Sequence, residues 1–172
     1  ERKGHDMMIK ALPAIKEQVP GVLYAIIGDG EQRPLLDSLV NELELTDNVL
    51  FMSEISAEQM IQCYQQCDLF ILPNRTVGRD IEGFGMVLVE AQACGKPVIA
   101  GDSGGTAETM LVGESGYIVD CTSVAPMIEQ IIPILKEKKL ASRMGARGCA
   151  HVNANLDWQR LSQQAKQLFE KV

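Results

Sequence analysis

The sequence has little of what several function classes require. Only two histidines occur, His5 and His151, and neither sits in a zinc or catalytic-triad pattern. The five cysteines (Cys63, Cys67, Cys94, Cys121 and Cys149) are an odd set without a Cys-x-x-Cys pair. That is the usage of reduced thiols in an intracellular setting. Cys63 and Cys67 lie one helical turn apart, but no third or fourth ligand stands near them, so they read as core residues. No apolar run approaches the roughly 20 residues that span a bilayer. A net charge of −7 argues against nucleic acid as a partner, since a phosphate backbone wants a basic face. Internal repeats, low-complexity tracts and flexible linkers are also missing. The first residue is Glu, so the lack of a signal sequence here says nothing about the natural N-terminus.

What remains is enough for one domain with a real core: 172 residues, 46% of them hydrophobic. Met8, Ala11, Leu12 and Ile15 predict a helix from His5 to Gln18, stopped by Pro20-Gly21. Val22 to Ile27 reads as a strand buried on both sides. A helix over 31–43, a strand over 48–52, a helix over 57–66 and a strand over 69–72 follow. Past the central stretch come a short helix near 106–112 and a strand over 116–119. The tail is helical, over about 124–137, 140–151 and 157–171. His151 reads as a surface residue, and Trp158 as the anchor that packs the last helix against the sheet. Strands alternating with helices predict a doubly wound, Rossmann-like parallel sheet, with ligands at the carboxyl ends of its strands.

The stretch from Asp80 to Gly105 organises the rest. Gly83-Phe84-Gly85 is a loop whose backbone can approach a ligand closely. A helix opens at about Gly85 and runs to Cys94, with Gly95 and Pro97 ending it. Val98 to Ala100 is a strand leading into Gly104-Gly105. Met86, Val87, Leu88, Val89, Ala91, Ala93 and Cys94 surround the helix with apolar side chains, so it is expected to be buried. Glu90 would then be a buried carboxylate needing a polar partner. The helix start suits an anion. An anion there and a polyol at Glu90 together describe a nucleotide diphosphate sugar.

Glu82 and Glu90 are separated by seven residues, and Glu82-Gly83-Phe84-Gly85 through Glu90-Ala91 resembles the Glu-x7-Glu signature of retaining glycosyltransferases with the GT-B fold. Lys3-Gly4-His5-Asp6, Gly28-Asp29-Gly30 and Gly104-Gly105-x-x-Glu108 resemble motifs of glycosyltransferase family 4, in the family's order. Arg75-Thr76 with Arg79 to Glu82 looks most like the branch of the phosphatidylinositol mannoside mannosyltransferases. The resemblance covers essentially the whole chain, residues 1–172, as one C-terminal, nucleotide-sugar-binding domain of a hexosyltransferase.

The resemblance implies roles for particular residues. Lys3 would meet the donor diphosphate and Glu82 the donor sugar, as the catalytic pair. Gly83, Phe84, Gly85, Met86 and Val87 would bind sugar and phosphate through main-chain amides. Glu90 would hold the ribose, and Ile55 would contact the base of a UDP- or GDP-sugar. Arg2 is not at the spacing of the family's partner arginine and is given no role. Arg75 and Arg79 read as surface ion-pair residues. No Asp-x-Asp motif occurs, and Asp29-Gly30-Glu31 reads as a helix-start cap, so neither metal nor other cofactor is expected. The family's domain opens with a central strand that would precede Glu1, so a gap in the sheet is expected. An acceptor glycan or lipid would be held mainly by a missing N-terminal domain, leaving the chain alone inactive. That half would also supply any peripheral contact with the inner membrane surface; otherwise the protein is expected to be cytoplasmic. Two other classes fit less well. A non-catalytic nucleotide-sugar-binding module would not need both Glu82 and the glycine loop. A dinucleotide oxidoreductase would need a third glycine where Arg33 stands.

Overall fold

Met8, Ile9, Ala11, Leu12 and Ile15 recur at helical spacing and are all buried on α1 (His5–Gln18). From there helices and strands alternate in the computed structural model, which describes residues 1–170. The order is β1 (Tyr24–Ile27), α2 (Arg33–Glu42), β2 (Val49–Met52), α3 (Ala57–Gln66), β3 (Phe70–Leu72), α4 (Met86–Ala93) and β4 (Val98–Gly101). A 3-10 turn at Thr106–Thr109, β5 (Gly116–Val119), α5 (Ala125–Lys136), α6 (Lys138–Asn155) and α7 (Trp158–Phe169) complete the described chain. The helix expected over 106–112 is thus only this short turn. The last expected helix extends to Lys171, which lies outside the described residues.

All strand pairs are parallel, but they form two sheets. One joins β1 to β2 with Tyr24 opposite Val49; the other runs β3-β4-β5, with Ile99 facing both Ile71 and Tyr117. No hydrogen bonds join the two among the described residues, so the predicted sheet is interrupted where a strand was expected to be missing. One apolar cluster still bridges them, because α1 and α5 pack over side chains from both, including Tyr24, Ile26, Ile99 and Val119. A second, smaller cluster joins Leu88 and Ala91 of α4 to Tyr64, Leu72 and Val98.

Two burial expectations fail. The apolar run at β1 predicts cover on both faces, yet only Tyr24 and Ile26 are buried, while Ala25 and the preceding Leu23 are exposed. Alternate side chains of a strand point to opposite faces, and only the face toward α1 is packed. Trp158 does not anchor α7: it is 72% exposed, and α7 contributes no buried residue. Its strong amphipathic pattern comes from Trp158, Leu161 and Leu168, but nothing in the described chain covers that stripe. All five cysteines are free thiols, and no helix of the described residues is long and apolar enough to cross a membrane.

Candidate functional site

The site forms where α1 begins, at the carboxyl end of β3. Gly4 has φ +71°, and a Cβ on it would stand 1.7 Å from the Pro73 carbonyl oxygen. Only glycine permits both that backbone geometry and that approach. Two residues later Asp6 meets Arg75: Arg75 Nη2 donates to Oδ2 at 3.0 Å, and Nη1 lies 2.9 Å from Oδ1. The Arg75 side chain is only 13% exposed, so this is a structural pair set into the molecule rather than a surface one. Arg79 remains exposed.

This docking brings Lys3 and Glu82 together across 79 residues of chain, with Nζ donating to Oε2 at 2.7 Å. Arg2 donates to the same oxygen, and its Nε lies 2.9 Å from Asp80 Oδ1. The family spacing assigns Arg2 no role, yet Arg2 shares Glu82 with Lys3. The two adjacent cations at the start of α1 were the available signal. Glu82 is 8% exposed. Burial pushes its carboxyl up, but the bonded Lys3 ammonium and the Arg2 guanidinium outweigh that and hold it below its ordinary value.

The loop between Glu82 and α4 is fixed from below. Gly104, at φ +67°, brings its α-carbon against the Glu82 carbonyl, and the Gly105 amide donates to the Gly83 carbonyl at 2.7 Å. Asn74, fully buried, donates to the Ser103 carbonyl and accepts from the Gly101 amide at 3.0 Å. Ser103 Oγ lies 3.0 Å from Thr76 Oγ1. The burial of Asn74 and Ser103 is not legible in the sequence, since their partners lie on other loops. Gly83 is exposed and Phe84 half-buried, and Gly85 turns the chain at φ +82° into α4. The amides of Met86 and Val87 donate to no group among the described residues.

The expectation of a buried Glu90 is corrected. Met86, Glu90 and Ala93, at helical spacing, share an exposed face of α4, while Leu88, Val89, Ala91 and Gln92 are buried. The apolar composition of α4 conceals an open side. Gln92 is the buried polar residue instead: Nε2 donates to the Thr109 carbonyl at 2.7 Å, and Oε1 accepts from Ser115 Oγ at 2.9 Å. Glu90 Oε2 accepts from the Tyr64 hydroxyl at 2.8 Å. Ile55 is half-buried beyond β2, just before Ser56, the N-cap of α3, and shares no hydrogen bond with the Lys3–Glu82 cluster. Asp29 does not cap α2: its Oδ1 accepts from the Gly30 amide, and α2 starts later, with Pro34 in its first turn. No group of three or more His, Cys, Asp or Glu among the described residues is placed to hold a metal ion.

Parallel strands with glycine loops at their carboxyl ends, and a Lys–Glu pair at the loop just ahead of a helix start, are the features of the Rossmann-like half of a GT-B glycosyltransferase. The family model "Glycosyl transferases group 1" matches residues 1–151, and the chain belongs to that family. It is 38% identical over 159 residues to a GDP-mannose-dependent alpha-(1-6)-phosphatidylinositol monomannoside mannosyltransferase of Mycolicibacterium smegmatis, covering 91% of this chain and 42% of that protein. A monoacylated alpha-(1-6)-phosphatidylinositol monomannoside mannosyltransferase of Corynebacterium glutamicum, also GDP-mannose-dependent, is 36% identical over 171 residues, 98% of this chain and 44% of that protein. Among solved structures, Anabaena HepE in complex with UDP-glucose superposes with a TM-score of 0.87 at 25% identity, over 99% of this chain and 46% of that one. The chain therefore spans less than half the length of these relatives. Membership in a glycosyltransferase family sets the oxidoreductase alternative aside.

Proposed function

We propose that this chain is the donor-binding, C-terminal half of a retaining mannosyltransferase that takes GDP-mannose and passes mannose to an inositol-containing lipid acceptor. The observation that carries the reading is the convergence of Lys3 and Glu82 beside the start of α4, with Glu90 one turn further along its open face. The Met86 and Val87 amides and the partial positive charge of the helix start suit a diphosphate. Lys3 and Arg2 bring two more positive charges beside Glu82, just ahead of that helix. Glu82 is engaged by both cations, so an arriving diphosphate would share them and leave the carboxylate free for a sugar hydroxyl. Glu90 is the ribose partner, and the backbone near Ile55 meets the base.

In this reading the leaving diphosphate is stabilised by fixed protein charges as the sugar bond lengthens, and the acceptor attacks from the same face. No metal is required. The acceptor is held mainly by the other half of the protein, which also makes any contact with the inner membrane surface. The two mannosyltransferase relatives favour guanine and mannose over the uridine sugar bound by the structural neighbour. Calorimetry of the full-length protein with GDP-mannose, UDP-glucose and an ADP-sugar tests this. GDP-mannose should bind at least tenfold more tightly than the others. Equal binding of all three, or of none, overturns the donor assignment.

A further inference from the structure

The hydroxyl of Tyr64 is more than the packing of its ring requires. Tyr64 lies in the last turn of α3, buried, in the cluster formed with Leu88, Ala91 and Phe70. Its ring meets that of Phe70 at a centroid distance of 5.5 Å and an interplanar angle of 59°, an ordinary tilted aromatic pair. A phenylalanine would fill this space equally well. The hydroxyl instead reaches the exposed face of α4, where it donates to Glu90 Oε2 at 2.8 Å. An exposed glutamate on a helix otherwise samples several rotamers, and immobilising it on binding costs entropy. A bond from a buried, ring-locked donor removes part of that freedom in advance. It also leaves Glu90 Oε1 and the second lone pair of Oε2 as acceptors on the open side.

The helix that carries Tyr64 is fixed at its start by a cap. α3 starts with a reciprocal cap, in which Gln59 N donates to Ser56 Oγ at 3.1 Å and Ser56 N donates to Gln59 Oε1 at 2.8 Å. Ile55 directly precedes that cap, so one short helix carries the residue assigned to the base at one end and the support of Glu90 at the other. Resting on the donor-binding reading above, we infer that Tyr64 is a positioning residue: it presets the Glu90 carboxylate to accept both vicinal hydroxyls of a nucleoside diphosphate's ribose.

The test is calorimetry on the full-length protein with GDP and 2′,3′-dideoxy-GDP, and with the corresponding UDP pair alongside. Wild type, Tyr64→Phe, Glu90→Gln and the double variant are compared. Tyr64→Phe should bind GDP about tenfold more weakly than wild type, the scale of a hydrogen bond to a charged group. It should bind the dideoxy nucleotide as wild type does. Adding Tyr64→Phe to Glu90→Gln should cost nothing further. The ratio of the two affinities on a single preparation is insensitive to a partly unfolded sample. If Tyr64→Phe matches wild type on GDP while Glu90→Gln is weakened, the positioning role is overturned and the ribose role of Glu90 stands. Equal weakening on both nucleotides makes Tyr64 purely structural and also overturns it. If wild type does not distinguish the two nucleotides, or binds neither, the reading of Glu90 fails and this inference with it.

Discussion

Gly104 lies so close to Glu82 that a Cβ on it would stand 1.6 Å from the Glu82 carbonyl oxygen. The turn after β4 is therefore the mould in which the loop carrying Glu82 and Gly83 is held. Gly104→Ala should force that loop away and add the cost of a left-handed alanine, destabilising the protein by at least ~2 kcal/mol. Gly113 supplies the control. It has φ +82° with nothing within 4 Å of where a Cβ would stand, so Gly113→Ala should cost only about 1–2 kcal/mol. Denaturant melts of both variants measure the difference, and equal losses would show that the Glu82 loop is not moulded by Gly104.

Gln92 ties α4 to the following loop by its bonds to the Thr109 carbonyl and Ser115 Oγ. Gln92→Leu keeps the volume but leaves the buried Thr109 carbonyl without its side-chain donor and Ser115 Oγ with Leu111 alone, and should cost about 1–3 kcal/mol. An unchanged urea midpoint would mean the groups find other partners.

His5 introduces a pH dependence. Burial, with Lys3 nearby, lowers its value from 6.5 to about 4, and its Nδ1 lies 2.7 Å from the Tyr24 hydroxyl. The unfolded chain thus takes up the proton first as pH falls. The stability associated with neutral His5 is complete above about 6.5, declines toward about 4 and levels off below. Thermal melts across that window should show a shallower decline for His5→Gln than for wild type. Identical slopes would assign the pH dependence to other groups.

Lys3 is assigned to the leaving diphosphate. Lys3→Ala in the full-length enzyme should lower kcat by roughly a hundredfold or more, in the range found when one transition-state donor is removed. It should also release Glu82 from one of its two cations. A kcat within a factor of about three of wild type would take Lys3 out of the chemistry.

With fixed charges serving the diphosphate, transfer by the full-length enzyme should persist after dialysis against EDTA. Activity that disappears on chelation and returns with manganese would overturn the metal-independent proposal.

Local order was legible in the residues. The bounds of α1 and α3 follow from apolar spacing and punctuation, such as Pro20-Gly21 after the first helix and Ser56 before the other. Gly85 and Gly95 bracket α4 as expected, and the division into two sheets agrees with the expected gap. The Glu82–Glu90 spacing marked the right stretch for the candidate site. Which carboxylate is buried could not be read there. A run such as Met86 to Cys94 shows that apolar side chains surround a helix, but not which side other elements cover. That depends on α3, α6 and the 3-10 turn at Thr106, none of them adjoining α4 in the chain. Trp158 likewise reads as an anchor from its type alone, yet α7 finds nothing to pack on within the described chain. Arg2 acquired its partner Glu82, and Arg75 its partner Asp6, only when Gly4 let α1 press against Pro73. Helical and strand periodicity, turns and caps act over a few residues, so the sequence by itself determined them. Burial and charge pairing depend on long-range approach of separate elements, and only the tertiary structure decided them.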